Sequence, residues 1–138
     1  MLGSDTQERQ RRPGAGVAAI LDRVPLPLRA LLDRIERGIV DLANADRAEG
    51  TGVREGMHAL RSALSDICAL TEAEAHPTVM RAVERLAGAG ERLAEMASRP
   101  RRARSAARGA ATRAFGGLAA VLVGTRPSRI AVSLGRGW

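Results

Sequence analysis

The chain has 138 residues, with 22 arginines, no lysine and 15 acids, for a net charge of +7. That length holds one domain, and with Phe115 and Trp138 as the only aromatics its core must be built from Leu, Val, Ile, Met and Ala, which suits helices. A lone cysteine, Cys68, excludes an internal disulfide and a Cys-cluster zinc site, and no apolar run reaches the roughly 18 residues of a membrane-spanning helix.

Arginine in place of lysine throughout, with abundant Ala and Gly, is the composition a GC-rich genome writes anywhere, so net charge alone says little about partners. Its distribution says more. Residues 1–21 carry +1, residues 22–96 carry −3, and residues 97–138 carry nine arginines and no acid. Codon preference cannot confine the acids to one side of Ser98–Arg99–Pro100. The chain therefore divides into a flexible N-terminal segment (1–24), a helical body (25–98) and a basic extension (99–138).

Residues 1–16 are polar, with Pro13, Gly14 and Gly16, and are expected to be disordered or frayed. Residues 17–24 can make two helical turns before Val24–Pro25. They follow Arg11–Arg12 as a signal peptide's apolar stretch would, but Asp22 and Arg23 break the run and no cleavage site is evident. A cytoplasmic protein is expected. Pro27 suits the start of a helix running from about Pro27 to Arg47, in which Leu28, Leu31, Leu32, Ile35, Ile39 and Leu42 recur at the helical period. Glu49–Gly50–Thr51–Gly52 reads as a turn, with Thr51 as N-cap. A second helix spans roughly Val53–Leu70 on the seam Val53, Met57, Leu60, Leu64 and Ile67. Thr71 and Glu74 have capping-box spacing, but Pro77 favours a break at His76–Pro77. A third helix covers about Thr78–Ala97 on the seam Val79, Val83, Leu86, Gly90, Leu93 and Ala97. Gly90 on that seam invites close approach of a neighbouring backbone.

Three apolar stripes joined by short loops call for antiparallel packing. The expected fold is all-α: a small antiparallel three- to four-helix bundle with a disordered N-terminus and a basic C-terminal extension. The extension has three parts in series. Residues 101–113 are Ala-rich and helix-forming, with Arg101, Arg104 and Arg108 on one face. Residues 114–123 are apolar almost all round, with Gly116, Ala120 and Gly124 at the four-residue spacing of close helix contacts. Beyond Pro127, Ile130, Val132 and Leu134 alternate with small residues, a period that suits an extended segment. This last stretch resembles the C-terminal cargo-loading peptides of encapsulin systems, which also set small residues between Ile and Leu near a basic end.

Convergent chemistry is sparse. His58 lies on a charged flank, His76 precedes Pro77, and Cys68 has no histidine partner at a useful spacing. No phosphate-binding loop, dinucleotide fingerprint or nucleophile elbow is present. No catalytic residue, metal, cofactor or small-molecule substrate is expected. The arginines Arg99, Arg101, Arg102, Arg104, Arg108 and Arg113 suit an acidic partner, because guanidinium groups pair with phosphates bidentately. Without interleaved aromatics, base stacking is disfavoured. The plain alternative is a solvated helix face whose arginines pair with acids of the body.

The leading expectation is thus a non-enzymatic helical binding or adaptor protein that engages DNA or RNA phosphates without sequence specificity. A second is a structural subunit, or a homo-oligomer, docking on protein through residues 114–138, with Phe115, Leu118, Val121, Leu122, Ile130, Val132, Leu134 and Trp138 as contacts. A third is a peripheral membrane protein using the same apolar patch on an anionic surface. Against the second and third stands burial of residues 114–123 within the chain's own core.

Overall fold

The computed structural model describes residues 14–45 and 50–127, and every regular element among them is helical. A short helix, α1 (Gly14–Leu21), precedes four long ones: α2 (Leu26–Asn44), α3 (Gly50–Thr71), α4 (Pro77–Glu95) and α5 (Arg101–Leu122). Single 3-10 turns at Ala73–Ala75 and Met96–Ser98 separate α3 from α4 and α4 from α5.

Local sequence explains most of the boundaries. Pro25 stands at the N-cap of α2, and Pro27 occupies the second helical position rather than the first; a missing N–H costs nothing in that first turn. The α2 stripe is buried in full: Leu28, Leu31, Leu32, Ile35, Ile39 and Leu42, joined by Gly38. Helix α3 starts earlier than its seam suggests. Gly50, Thr51 and Gly52 lie inside it instead of forming a turn, and Gly52 backs onto the buried Ala45. Thr71 makes no capping box. Its hydroxyl is buried and donates back to the Ile67 carbonyl at 2.7 Å, and the left-handed Glu72 (φ 51°) ends the helix one residue later. Helix α4 then begins at Pro77 and runs unbroken through Gly88 and Gly90, burying Val79, Val83, Leu86, Gly90 and Leu93.

Helix α2 packs on α3, α3 on α4, α4 on α5, and α5 returns to α2, while α1 lies against α5. The four pairings among the long helices are antiparallel. Gly38 of α2 faces Gly56 and Leu60 of α3, and Arg34 pairs with Asp66 at 3.8 Å. Leu60 of α3 meets Gly90 of α4, and Arg61 pairs with Glu91 at 3.4 Å. The start of α4 and the end of α5 share a depression lined by Thr78, Val79 and Val121. Arg104, early in α5, donates to the carbonyl of Ala45, just past the end of α2.

The core is leucine-rich on α2 and α3 and passes into alanine on α5. Leu60, Ala63, Leu64, Ile67 and Leu70 of α3 are buried; Val53 and Met57 are half-buried. Helix α3 has a neighbour on each side, so its core face is wider than one seam. Helix α5 buries Ala107, Ala111, Ala114, Phe115, Leu118, Ala119 and Leu122 in the same apolar cluster. The region that reads in the sequence as a separate extension therefore places one full helix face among the leucines of the body.

Candidate anion-binding surface

Helix α5 forms because alanine and arginine are both good helix residues and because Pro100, extended at ψ 156°, sits well at its N-cap. Its first turn holds no acid. The N-terminal end of a helix carries partial positive charge, so Arg102 adds a full charge where the helix itself gains nothing from one.

The arginines of this region do not act as one cluster. Arg99, Arg102, Arg108 and Arg113 are exposed, and none of their guanidinium groups makes a hydrogen bond or ion pair among the described residues. Arg104 differs. It is half-buried, and its Nη1 donates at 3.2 Å to the Ala45 carbonyl. Guanidinium charge at a helix C-terminus satisfies an orphan carbonyl and complements the dipole. Arg104 is thus a clasp between α5 and α2, with its Nε buried and unpartnered. The side chain of Arg101 lies outside the described set. Arg104 and Arg108 line a depression beside Ala43, Asn44 and Ser105, on the α2 side of α5; Arg113 points to the α4 side.

On that second side the structure assembles what no single helix displays. A groove of about 570 Å³ runs between α4 and α5. Thr78, Arg81, Ala82, Arg85 and Ala89 line it from α4, and Ala110, Arg113, Ala114, Gly117 and Val121 from α5. Three guanidinium groups therefore stand around a floor of small apolar side chains. Arg81 and Arg85 are exposed, without an ion pair or hydrogen bond among the described residues. None of the acids of α4 lines the groove: Glu91 pairs with Arg61 of α3, and Glu84 acts on Cys68 of α3. Arg81 and Arg85 are absent from the sequence-based candidates because they lie in the net-acidic body. Their signal is the spacing Thr78, Arg81, Ala82, Arg85, Ala89, a second helical stripe about 100° round from the leucine seam.

The apolar docking candidates fall differently. Phe115, Leu118 and Leu122 are buried in the chain's own core and Val121 is half-buried. Phe115, Leu118 and Leu122 fill the fourth face of the chain's own core, while Val121 stays partly accessible in the groove between α4 and α5. Ile130, Val132, Leu134 and Trp138 lie outside the described residues.

His58 and His76 are exposed, and no group of three or more His, Cys, Asp or Glu side chains converges among the described residues. Burial, helped by the nearby Glu84 carboxylate, pushes the Cys68 thiol up from its ordinary range. No helix among the described residues is long and apolar enough to cross a membrane. No protein-family profile, no curated protein and no solved structure matches this chain.

Proposed function

We propose that the protein is a non-enzymatic, cytoplasmic binding protein, a four-helix antiparallel bundle that presents the arginines of α5 to nucleic-acid phosphates without reading sequence. One observation carries this reading: Arg99, Arg102, Arg108 and Arg113 are exposed and paired with no acid among the described residues. Neutralising them within the chain was the plain alternative, and the ion pairs Arg34–Asp66 and Arg61–Glu91 join other helices instead. The positive end of α5 adds its dipole to Arg99 and Arg102. Small neighbours such as Ser105, Ala106 and Gly109 leave room for a phosphate backbone to approach.

The reading predicts DNA and RNA binding that weakens steeply with salt, because each neutralised phosphate releases counterions. Replacing Arg102, Arg108 and Arg113 together with Ala should lower the magnitude of the slope of log K against log salt by about 3 while circular dichroism stays unchanged. Arg104 is left out of that variant because its bond to Ala45 is structural. Absence of binding at low salt, or an affinity indifferent to salt, rejects the phosphate reading.

A further inference from the structure

We propose that the groove between α4 and α5 receives the outward ridge of α2 from a second copy of this chain, so that copies associate head to tail.

The groove has two properties that its own fold does not use. Arg81, Arg85 and Arg113 surround it without a partner among the described residues. Its floor is also more open than packing requires. Gly38, Gly56 and Gly90 are glycines for an internal reason: an added Cβ would press on the Gly56 carbonyl, on Leu42 and on Leu60 respectively. A Cβ on Gly117, in the groove, would meet nothing within 4 Å. Glycine costs a helix about 1 kcal/mol relative to alanine, and at Gly117, as at Gly88 and Gly124 outside the groove, no contact among the described residues calls for it. A helix pressed into the groove from outside would.

The complementary surface is on α2. Asp33, Glu36, Arg37, Val40 and Asp41 share one exposed face. Asp33, Glu36 and Asp41 have no ion pair among the described residues. Val40, 42% exposed, is one of two large apolar side chains left at the described surface; the other is Leu26. The ridge is thus an apolar point flanked by three free carboxylates, and the groove an apolar floor flanked by three free guanidinium groups. Arg37 on the ridge and Arg108 near its edge are the like charges that set the register. At 1.5 Å per residue, Asp33 to Asp41 spans about 12 Å and Thr78 to Ala89 about 16 Å, so the ridge fits within the groove. Two different patches are involved, which makes the contact heterologous: it propagates into a ring or an open filament rather than stopping at a two-fold dimer.

Sedimentation velocity on nuclease-treated full-length protein tests this. At low salt the average mass should rise with concentration past that of a dimer and return to that of a monomer at high salt, since exposed charge pairs are screened. The triple reversal Asp33→Arg, Glu36→Arg, Asp41→Arg should be monomeric alone, as should Arg81→Glu, Arg85→Glu, Arg113→Glu. Mixed, the two should assemble again past a dimer, in alternation, because the native ridge–groove pair and the charge-reversed pair are both attractive. Gly117→Leu adds a side chain in open space, so it should keep the fold and lose assembly. A wild-type chain that stays monomeric at low salt overturns the proposal, as does assembly that survives both the ridge reversal and Gly117→Leu. The inference does not rest on the phosphate reading: the ridge reversal leaves every arginine of α5 in place, so nucleic-acid binding persists in it if that reading holds.

Discussion

The α2–α3 interface and the α4–α5 interface are built from the same kinds of helix and finish in opposite ways. Between α2 and α3, Leu28 to Leu42 meet Leu60 to Leu70, and Gly38 and Gly56 let two backbones approach until a Cβ at either would be crowded. An ion pair, Arg34–Asp66, lies across the seam. Between α4 and α5 the side chains shrink to Ala82, Ala89, Ala110, Ala114 and Gly117, and the flanking charges are all of one sign. The first interface is satisfied within the chain. The second is closed on its inner side by Leu86, Leu118 and Leu122 and unsatisfied on its outer side. Buried apolar area accounts for the first interface; for the outer half of the second, nothing inside the chain does.

Glycine replacement gives the largest contrast between the two. Gly56→Ala puts a methyl 2.9 Å from Leu42 Cγ and 3.1 Å from the Gly38 carbonyl, and should destabilise the fold by about 1–3 kcal/mol through overpacking. Gly117→Ala should instead stabilise it by up to about 1 kcal/mol through helix propensity alone. Urea denaturation of the two variants measures both signs, and a destabilised Gly117→Ala would mean the groove is packed after all.

A smaller effect separates two arginines of α5 that look equivalent in the sequence. Arg104→Ala removes a donor from the Ala45 carbonyl and should cost about 1 kcal/mol. Arg108→Ala, on an exposed side chain without a partner, should change stability by no more than about 0.5 kcal/mol. Equal costs would erase the distinction between clasp and free charge.

The smallest effect concerns the two shoulders of α4. Arg81 and Arg85 face the groove, whereas Glu84 acts on Cys68 across α3. Burial first, and then that carboxylate, raise the thiol, so less thiolate is present at neutral pH than for a free cysteine. Alkylation of Cys68 at neutral pH should be slow and should accelerate as pH rises. Glu84→Gln should speed it modestly, leaving the slowing due to burial. A Glu84→Gln rate equal to that of the unsubstituted chain would remove the acid from that shoulder.

The helices were legible wherever one face repeats at 3.6 residues. Leu28, Leu31, Leu32, Ile35, Ile39 and Leu42 announce α2, and Val79 to Leu93 announce α4. The start of α3 is not legible, since Gly50, Thr51 and Gly52 favour a turn locally, and only the fold sets Gly52 beside the buried Ala45. Buried Phe115, Leu118 and Leu122 read equally as anchor or core, because periodicity shows that a face is apolar and not what covers it. The groove was hidden for a related reason: half of its lining is on α4 and half on α5, and no window along one helix contains both. Arg104 carried no signal at all of its bond to Ala45, a residue 59 positions away.

That separation of 59 residues also bears on how the chain reaches its native state. Contacts between α2 and α3, α3 and α4, or α4 and α5 join helices adjacent in the chain and need only short loops to form, which makes them fast. The contacts of α5 with α2 and α1 are the longest-range ones, and their loop entropy is repaid only when the other pairs are in place. Helix α5 is therefore the closing piece, and Arg104 is the latch on it. A chain paused before Arg101 holds three long helices and an open apolar trough. Synthesis of the last helix converts that trough into a core and, in the same step, exposes the arginines.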